Sequence, residues 1–247
     1  MSEAAEARVE ADAAASAAGV VIRPLGATET WDAAVLLQQL WGNAVIEAPL
    51  MAALRHSGAY VAGAYTDARL VAACVGYFAV PLGDALHSHV AGVAPEAARR
   101  GIGLALKLDQ RAWCLERGLT RVTWTFDPLV ARNAAFNIGR LGVSVEEYLV
   151  DFYGEMADAV NVGQGSDRLL VAWDLTRPVG VHGGALPATP SALRVPVPAD
   201  IESLRRSDPA QAADWRARLR TELNGRIGRG WSVTGFDDHS YLLEQTP

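Results

Sequence analysis

Residues 93–107, VAPEAARRGIGLALK, set two arginines and two glycines between an alternating apolar run and a long helix-like segment. Gly101 and Gly103 do not complete a dinucleotide-binding fingerprint, because the third small residue it needs is replaced by Leu106, and the Gly-Lys-Ser/Thr of a P-loop is absent. What remains is a strand ending near Val93 and Pro95, a tight turn, and the first turn of a helix. The unpaired N–H groups and dipole of such a turn favour an anion. Gly101 and Gly103 keep side chains away from those amides, and Arg99 and Arg100 add positive charge suited to a pyrophosphate. In the plainer reading, the two glycines only let the helix pack closely on a sheet.

The rest of the chain bounds this site. Its 247 residues, half of them apolar, are ample for a packed core. No apolar run reaches the roughly 18 residues that span a bilayer, and the start lacks a secretory signal, so a cytoplasmic protein without membrane partners is expected. A net charge of −6 argues against a general nucleic-acid binder. Cys74 and Cys114 read as core residues and no metal site is expected. Lys107 is the only lysine, which reads as compositional bias.

Residues 1–19 are Ala-rich with no bulky apolar residue except Val9, and are expected to form a disordered tail, frayed or partly helical. From Val20 the patterns read as strand, two helices, three strands, the helix after Gly101, strand "RVTWTF", a short helix in "LVARNAAFNIGRLG", and two strands in "VSVEEYLVDFYG" and "DRLLVAWDL". The order is βααβββαβαββ over residues 20–176. Residues 177–192 are Pro/Gly-rich and read as a linker. Residues 193–247 read as an appendage of strand, helix and strand pair, whose stripe of Trp215, Leu219, Leu223 and Ile227 should dock on the core or on a second subunit.

The run V-x-P-x-x-x-R-R-G-I-G-x-A-L, placed between the fourth strand and third helix of that order, resembles the acyl-CoA-binding motif of the GNAT acyltransferase superfamily. The likeness covers about residues 20–175. It implies a mixed α/β (α+β) fold, with a mostly antiparallel central sheet flanked by helices, here followed by the C-terminal α/β appendage. It also implies acetyl-CoA or another acyl-CoA as co-substrate and a small amine as acceptor. Where the family usually carries Gln or Arg, three residues before the first glycine, this chain has Ala98. "ARNAAFNIGRLG" resembles the family's second signature, but the usual helix tyrosine falls on Ile138. A closer likeness is to a GNAT subgroup showing "LHSH", "TWTFDPL", "RNAAFN", "FYG" and "DRLLVAW", some members of which are linked to N-succinylation of amino acids.

Amine acylation needs a base for the nitrogen and a donor for the thioester carbonyl as it becomes an oxyanion. The resemblance assigns the donor to backbone N–H groups of Ala91, Gly92 and Val93. It assigns the cofactor's phosphates to Arg99, Arg100, Gly101, Ile102, Gly103 and Leu104, and its lower arm to Asn133. Strict alternation puts His87, His89, Ala91 and Val93 on one strand face, with Leu86, Ser88, Val90 and Gly92 on the other. His87 or His89 then serves as base, with an ordinary histidine pKa near neutrality, or both are structural histidines on an exposed face. Tyr148 and Tyr153 are the substitutes for the missing acid, with Tyr153 favoured by the resemblance. Trp124, Asp127 and Arg168 are candidates for acceptor binding. Trp124 alternatively packs, Asp127 caps the next helix, and Arg168 pairs with Asp167. Two further readings are a non-catalytic acyl-CoA-binding module and an assembly unit, with a homodimer open in either case.

Overall fold

The computed structural model describes residues 2–154, 165–179 and 192–246. The chain divides into two compact units, Met1–Val122 and Thr123–Pro247. The element order over residues 20–176 is the one read from the sequence.

In the first unit, β1 (Val21–Pro24), β2 (Tyr60–Thr66), β3 (Arg69–Ala79) and β4 (Ala85–Val93) form an antiparallel run in chain order. Helices α2 (Glu29–Trp41) and α3 (Ala48–His56) cover one face, where Leu37, Met51, Val61, Ala73, Val75 and Val90 share a core. Helix α4 (Ile102–Leu115) packs against β2, β3 and β4 and supplies the buried Ile102, Leu106 and Leu108.

Helix α1 (Glu3–Ala17) corrects the expected disordered tail. Ala7 and Ala11, one turn apart, are its buried residues, and the absence of bulky side chains is what permits close approach to α4. Polar bonds supply the rest. Arg8 reaches Asp109 at 2.6 Å and Glu116 at 2.8 Å, and Arg111 of α4 reaches Glu10 at 3.2 Å.

Strand β5 (Arg121–Phe126) carries the chain into the second unit. There α5 (Ala131–Ala134) runs on as a π-helix, Ala135–Leu141, which stops at left-handed Gly142. β6 (Ser144–Leu149) pairs antiparallel with β7 (Arg168–Asp174). A second antiparallel sheet has the order β8 (Leu193–Pro196), β10 (Ser240–Gln245), β9 (Trp231–Asp237). The expected single helix of the appendage is two: α6 (Ile201–Ser207) and α7 (Pro209–Asn224). The break falls at Asp208, whose carboxylate caps Gln211 N–H ahead of Pro209 at the helix start. Helix α7 packs on β6, burying Ala212, Leu219 and Leu223. The linker expected over 177–192 lies largely outside the described residues.

Candidate active site

Strand β4 does not alternate strictly. Its pairing with β3 slips between Val75 and Gly76, so that Val90 opposes Val75 and Ser88 opposes Gly76 while His89 is the extra residue of a bulge. The consequence is a change of face. Ser88 points to α4, where its hydroxyl accepts from Lys107 Nζ at 2.9 Å, whereas Val90 joins the α2–α3 core. A Cβ on Gly92 would fall within 3 Å of Leu40 and Trp41 of α2, so Gly92 shares the face of Val90. The expected grouping of Val90 and Gly92 with Ser88 is therefore corrected, because one inserted residue resets a two-residue period.

The two histidines do share a side. Tyr77 of β3 stacks on both, with ring centroids 5.3 Å from His87 and 5.7 Å from His89. Burial, then the nearby His89 and Lys107, pushes the His87 pKa down to about 4, which corrects the expected value near neutrality. His87 is thus an uncharged acceptor throughout the physiological range. On the opposite face Lys107, Ser88, Gln110 and Cys74 form a buried polar cluster, with Lys107 also donating to Gln110 at 3.3 Å. Burial lowers the Lys107 pKa to about 8.

After β4, a short 3-10 turn, Pro95–Ala97, leads into the glycine turn. Arg99 (φ 65°) and Gly101 (φ 86°) are left-handed, and the first backbone bond of α4 runs from Ala105 N–H to Gly101 C=O at 3.0 Å. The amides of Ile102, Gly103 and Leu104 are thus the orphans of the helix start. A Cβ at Gly101 or Gly103 would meet nothing within 4 Å, so the space beside both glycines is open. That fits a phosphate cradle, and the glycines do not serve close packing on the sheet. Arg100 is engaged on the helix α1 side, donating to Ala18 C=O at 3.2 Å.

In the second unit, Trp124 packs edge-on against Trp173 with centroids 6.4 Å apart and is buried. Asp127 caps a turn and not the helix: its Oδ1 accepts from Leu129 N–H at 3.0 Å. Its Oδ2 takes Arg205 of α6 and, at 3.0 Å, Arg216 of α7. Burial alone would raise its pKa, but Arg216 and Arg205 hold it down to about 2. The expected Asp167–Arg168 ion pair is not formed. Asp167 is gripped by Arg220 at 2.6 and 2.9 Å and accepts from Tyr148 at 2.6 Å, while Arg168 donates to its backbone carbonyl.

That arrangement separates the two tyrosines. Tyr148 is buried, and burial followed by the Asp167 bond pushes its pKa far up, which suits a structural donor. Tyr153 is 46% exposed, with its hydroxyl 3.4 Å from Thr125 Oγ1 and its ring beneath the Arg168 guanidinium at 5.2 Å. Asn133 is half-buried in α5, and Ile138 is buried in the π-helix. The sequence reading missed Tyr77, Arg205, Arg216 and Arg220, and it took Lys107 for composition, although a lone lysine in an arginine-rich chain was a usable signal. Among the described residues no cluster of His, Cys, Asp and Glu could hold a metal ion, and no helix is long and apolar enough to cross a membrane.

No protein-family model and no curated protein matches the sequence. Solved structures match in fold. A ribosomal-protein-S18-alanine N-acetyltransferase from Escherichia coli aligns with a TM-score of 0.54 at 16% identity, over 64% of this chain and 96% of that one. The yncA protein of Salmonella typhimurium, solved with its cofactor acetyl-CoA, gives 0.52 at 12% identity, over 64% and 94%. A GNAT-family structure from Desulfovibrio desulfuricans gives 0.50 at 15% identity, over 63% and 99%. At such identities the likeness shows the fold, which is that of the GNAT acetyltransferases.

Proposed function

We propose that the chain is an acyl-CoA-dependent N-acyltransferase that passes an acetyl or succinyl group directly to a small amine or amino acid. The observation that carries this reading is the open glycine turn at the start of α4, directly after a strand bearing His87 and His89. Amides of residues 101–104, with Arg99 and Arg100 nearby, hold the pyrophosphate. Backbone groups of Ala91, Gly92 and Val93 take the acyl arm, and Asn133 contacts its lower part. His87, uncharged, or His89 takes the proton of the amine as the C–N bond forms. Tyr153 returns a proton to the departing thiolate as the C–S bond breaks. Trp124, Asp127 and Arg168 serve the acceptor. The same reading makes the protein cytoplasmic, with homodimer formation decided by sedimentation.

Buried Ile138, standing where GNAT enzymes usually place a tyrosine, favours a second reading as a non-catalytic acyl-CoA-binding module. One experiment separates the two. Titration calorimetry with acetyl-CoA and succinyl-CoA should show binding, and a mixed amine panel should release free CoA thiol. Binding without release leaves the sensing module; no binding of either thioester removes both.

A further inference from the structure

The first unit contains a buried polar ring that the proposed reaction does not use. Lys107 of α4 donates from Nζ to Ser88 Oγ of β4 at 2.9 Å and to Gln110 Oε1 at 3.3 Å. Gln110 Nε2 donates to Cys74 Sγ of β3 at 3.5 Å, and that sulfur lies 3.9 Å from Ser88 Oγ. All four residues are buried. An ammonium is costly to bury, whereas an apolar side chain of similar length would fill the same space without that cost.

The ring meets β4 at its irregular point. Ser88 lies between His87 and His89 and pairs with Gly76, where the register slips. A Cβ on Gly76 would come to 3.0 Å from the His87 carbonyl and 3.2 Å from Gln110 Nε2, so the missing side chain is what admits Gln110 to the bulge. Lys107 is also one turn along α4 from Gly103, in the helix whose first turn offers the orphan amides. One side chain therefore ties the helix that would hold the phosphates to the strand that carries both histidines.

We propose that Lys107 is a positioning residue for the histidine pair, holding through Ser88 the bulge of β4 that sets His87 and His89 on one side at a fixed offset from the start of α4. The proposal rests on the acyltransferase reading for the role of His87 as base, though not for the coupling of Lys107 to the histidines. That coupling is also electrostatic, because Lys107 follows burial and His89 among the causes that lower the His87 pKa. The groups around the histidines are Tyr77 of β3 and each other. Around Lys107 stand Ser88, Cys74, Gln110 and Cys114, with Asp109 of α4 held by Tyr60 of β2 and Arg8 of α1. Burial raises the pKa of both thiols, so they stay protonated at neutral pH.

The test uses the full chain. Lys107 is its only lysine, so labelling lysine with 13C at Cε gives one side-chain NMR signal, expected to titrate near pH 8. In Ser88→Ala the ammonium loses an acceptor, and the same signal should titrate lower. In Lys107→Met the His87 ring, assigned by comparison with His87→Ala, should titrate higher than in the parent protein, and the His89 signal should shift. A lysine signal unmoved by Ser88→Ala overturns the proposal, as do histidine signals unmoved in a folded Lys107→Met protein. If Lys107→Met fails to fold, Ser88→Ala decides by the lysine titration and by the histidine shifts.

Turnover supplies the readout that packing alone would not move. Both variants should lower kcat with acetyl-CoA and the amine panel by about tenfold or more, with KM for acetyl-CoA changed by less than about twofold. A Lys107 that only supports the fold would lower Tm and leave kcat and the His87 titration where they are, and that result overturns the proposal. A parent protein that releases no CoA thiol sinks the acyltransferase reading only, since the lysine and histidine titrations still decide the coupling.

Discussion

His87 shows how one residue's chemistry depends on its strand. With a folded pKa of about 4, it is fully unprotonated by pH 6, so loss of the base on the acid side should set in near pH 4 and not near 6.5. His87→Ala is expected to lower kcat by about 10²-fold or more, with little change in acyl-CoA affinity. A pH profile of kcat/KM in both proteins checks this. An acid limb at pH 6 to 7 that vanishes in His87→Ala would contradict the assigned environment, and an unchanged kcat would remove His87 from the chemistry. The sign for stability follows from the same shift. Between about pH 4 and 6.5 the unfolded chain binds the proton and the folded one does not, so stability falls as pH falls through that window. The histidine pair itself was legible in "LHSH" from a period of two. The bulge at His89 was not, because an inserted residue leaves no composition signal, and it moved Val90 and Gly92 to the other face.

At the scale of elements, the start of α4 makes a prediction that separates binding from folding. Gly103 has open space where a Cβ would go and no left-handed φ, so Gly103→Glu leaves the fold intact. A carboxylate in a first helical turn even adds roughly 0.3 to 1 kcal/mol of stability. Acyl-CoA affinity should nonetheless fall by well over tenfold, through bulk and repulsion at the orphan amides. Ala98→Gln, which restores the family's usual residue type, should leave affinity equal or better. Calorimetric titration with acetyl-CoA, alongside circular dichroism, gives both answers, and full affinity in a folded Gly103→Glu protein would end the phosphate reading. This helix start was readable because glycine spacing and helix-terminal dipoles are local. Helix α1 was not, since its stability comes from α4: Arg8 finds Asp109 and Glu116 across about a hundred residues, and an Ala-rich sequence carries no amphipathic stripe to announce a partner.

At the scale of the whole molecule, the same distance problem hid the role of the appendage and now predicts what its removal does. Asp127 meets Arg205 and Arg216 across 78 and 89 residues, and Asp167 meets Arg220 across 53, so neither carboxylate could be tied to its partner by spacing. Asp127 alone read as a cap and Asp167 alone as a neighbour's ion pair. Ending the chain at residue 191 deletes all three arginines along with the buried Leu219, Leu223 and Tyr241. It would leave Asp127, whose arginine partners are both buried, without those counter-charges, at roughly 3 to 5 kcal/mol, and the buried Asp167 without Arg220, at a smaller cost because that arginine is partly exposed. Tyr241 also takes its bond to Pro128 C=O, 2.7 Å long, away with it. Against a total stability of about 5 to 15 kcal/mol, such losses should abolish cooperative folding of the second unit. The truncated chain is therefore expected to lose near-ultraviolet circular dichroism and its calorimetric unfolding peak from that unit, and to aggregate. A soluble, monodisperse truncated protein with the Tm of the full chain would mean that the appendage arginines contribute nothing to holding Asp127 and Asp167.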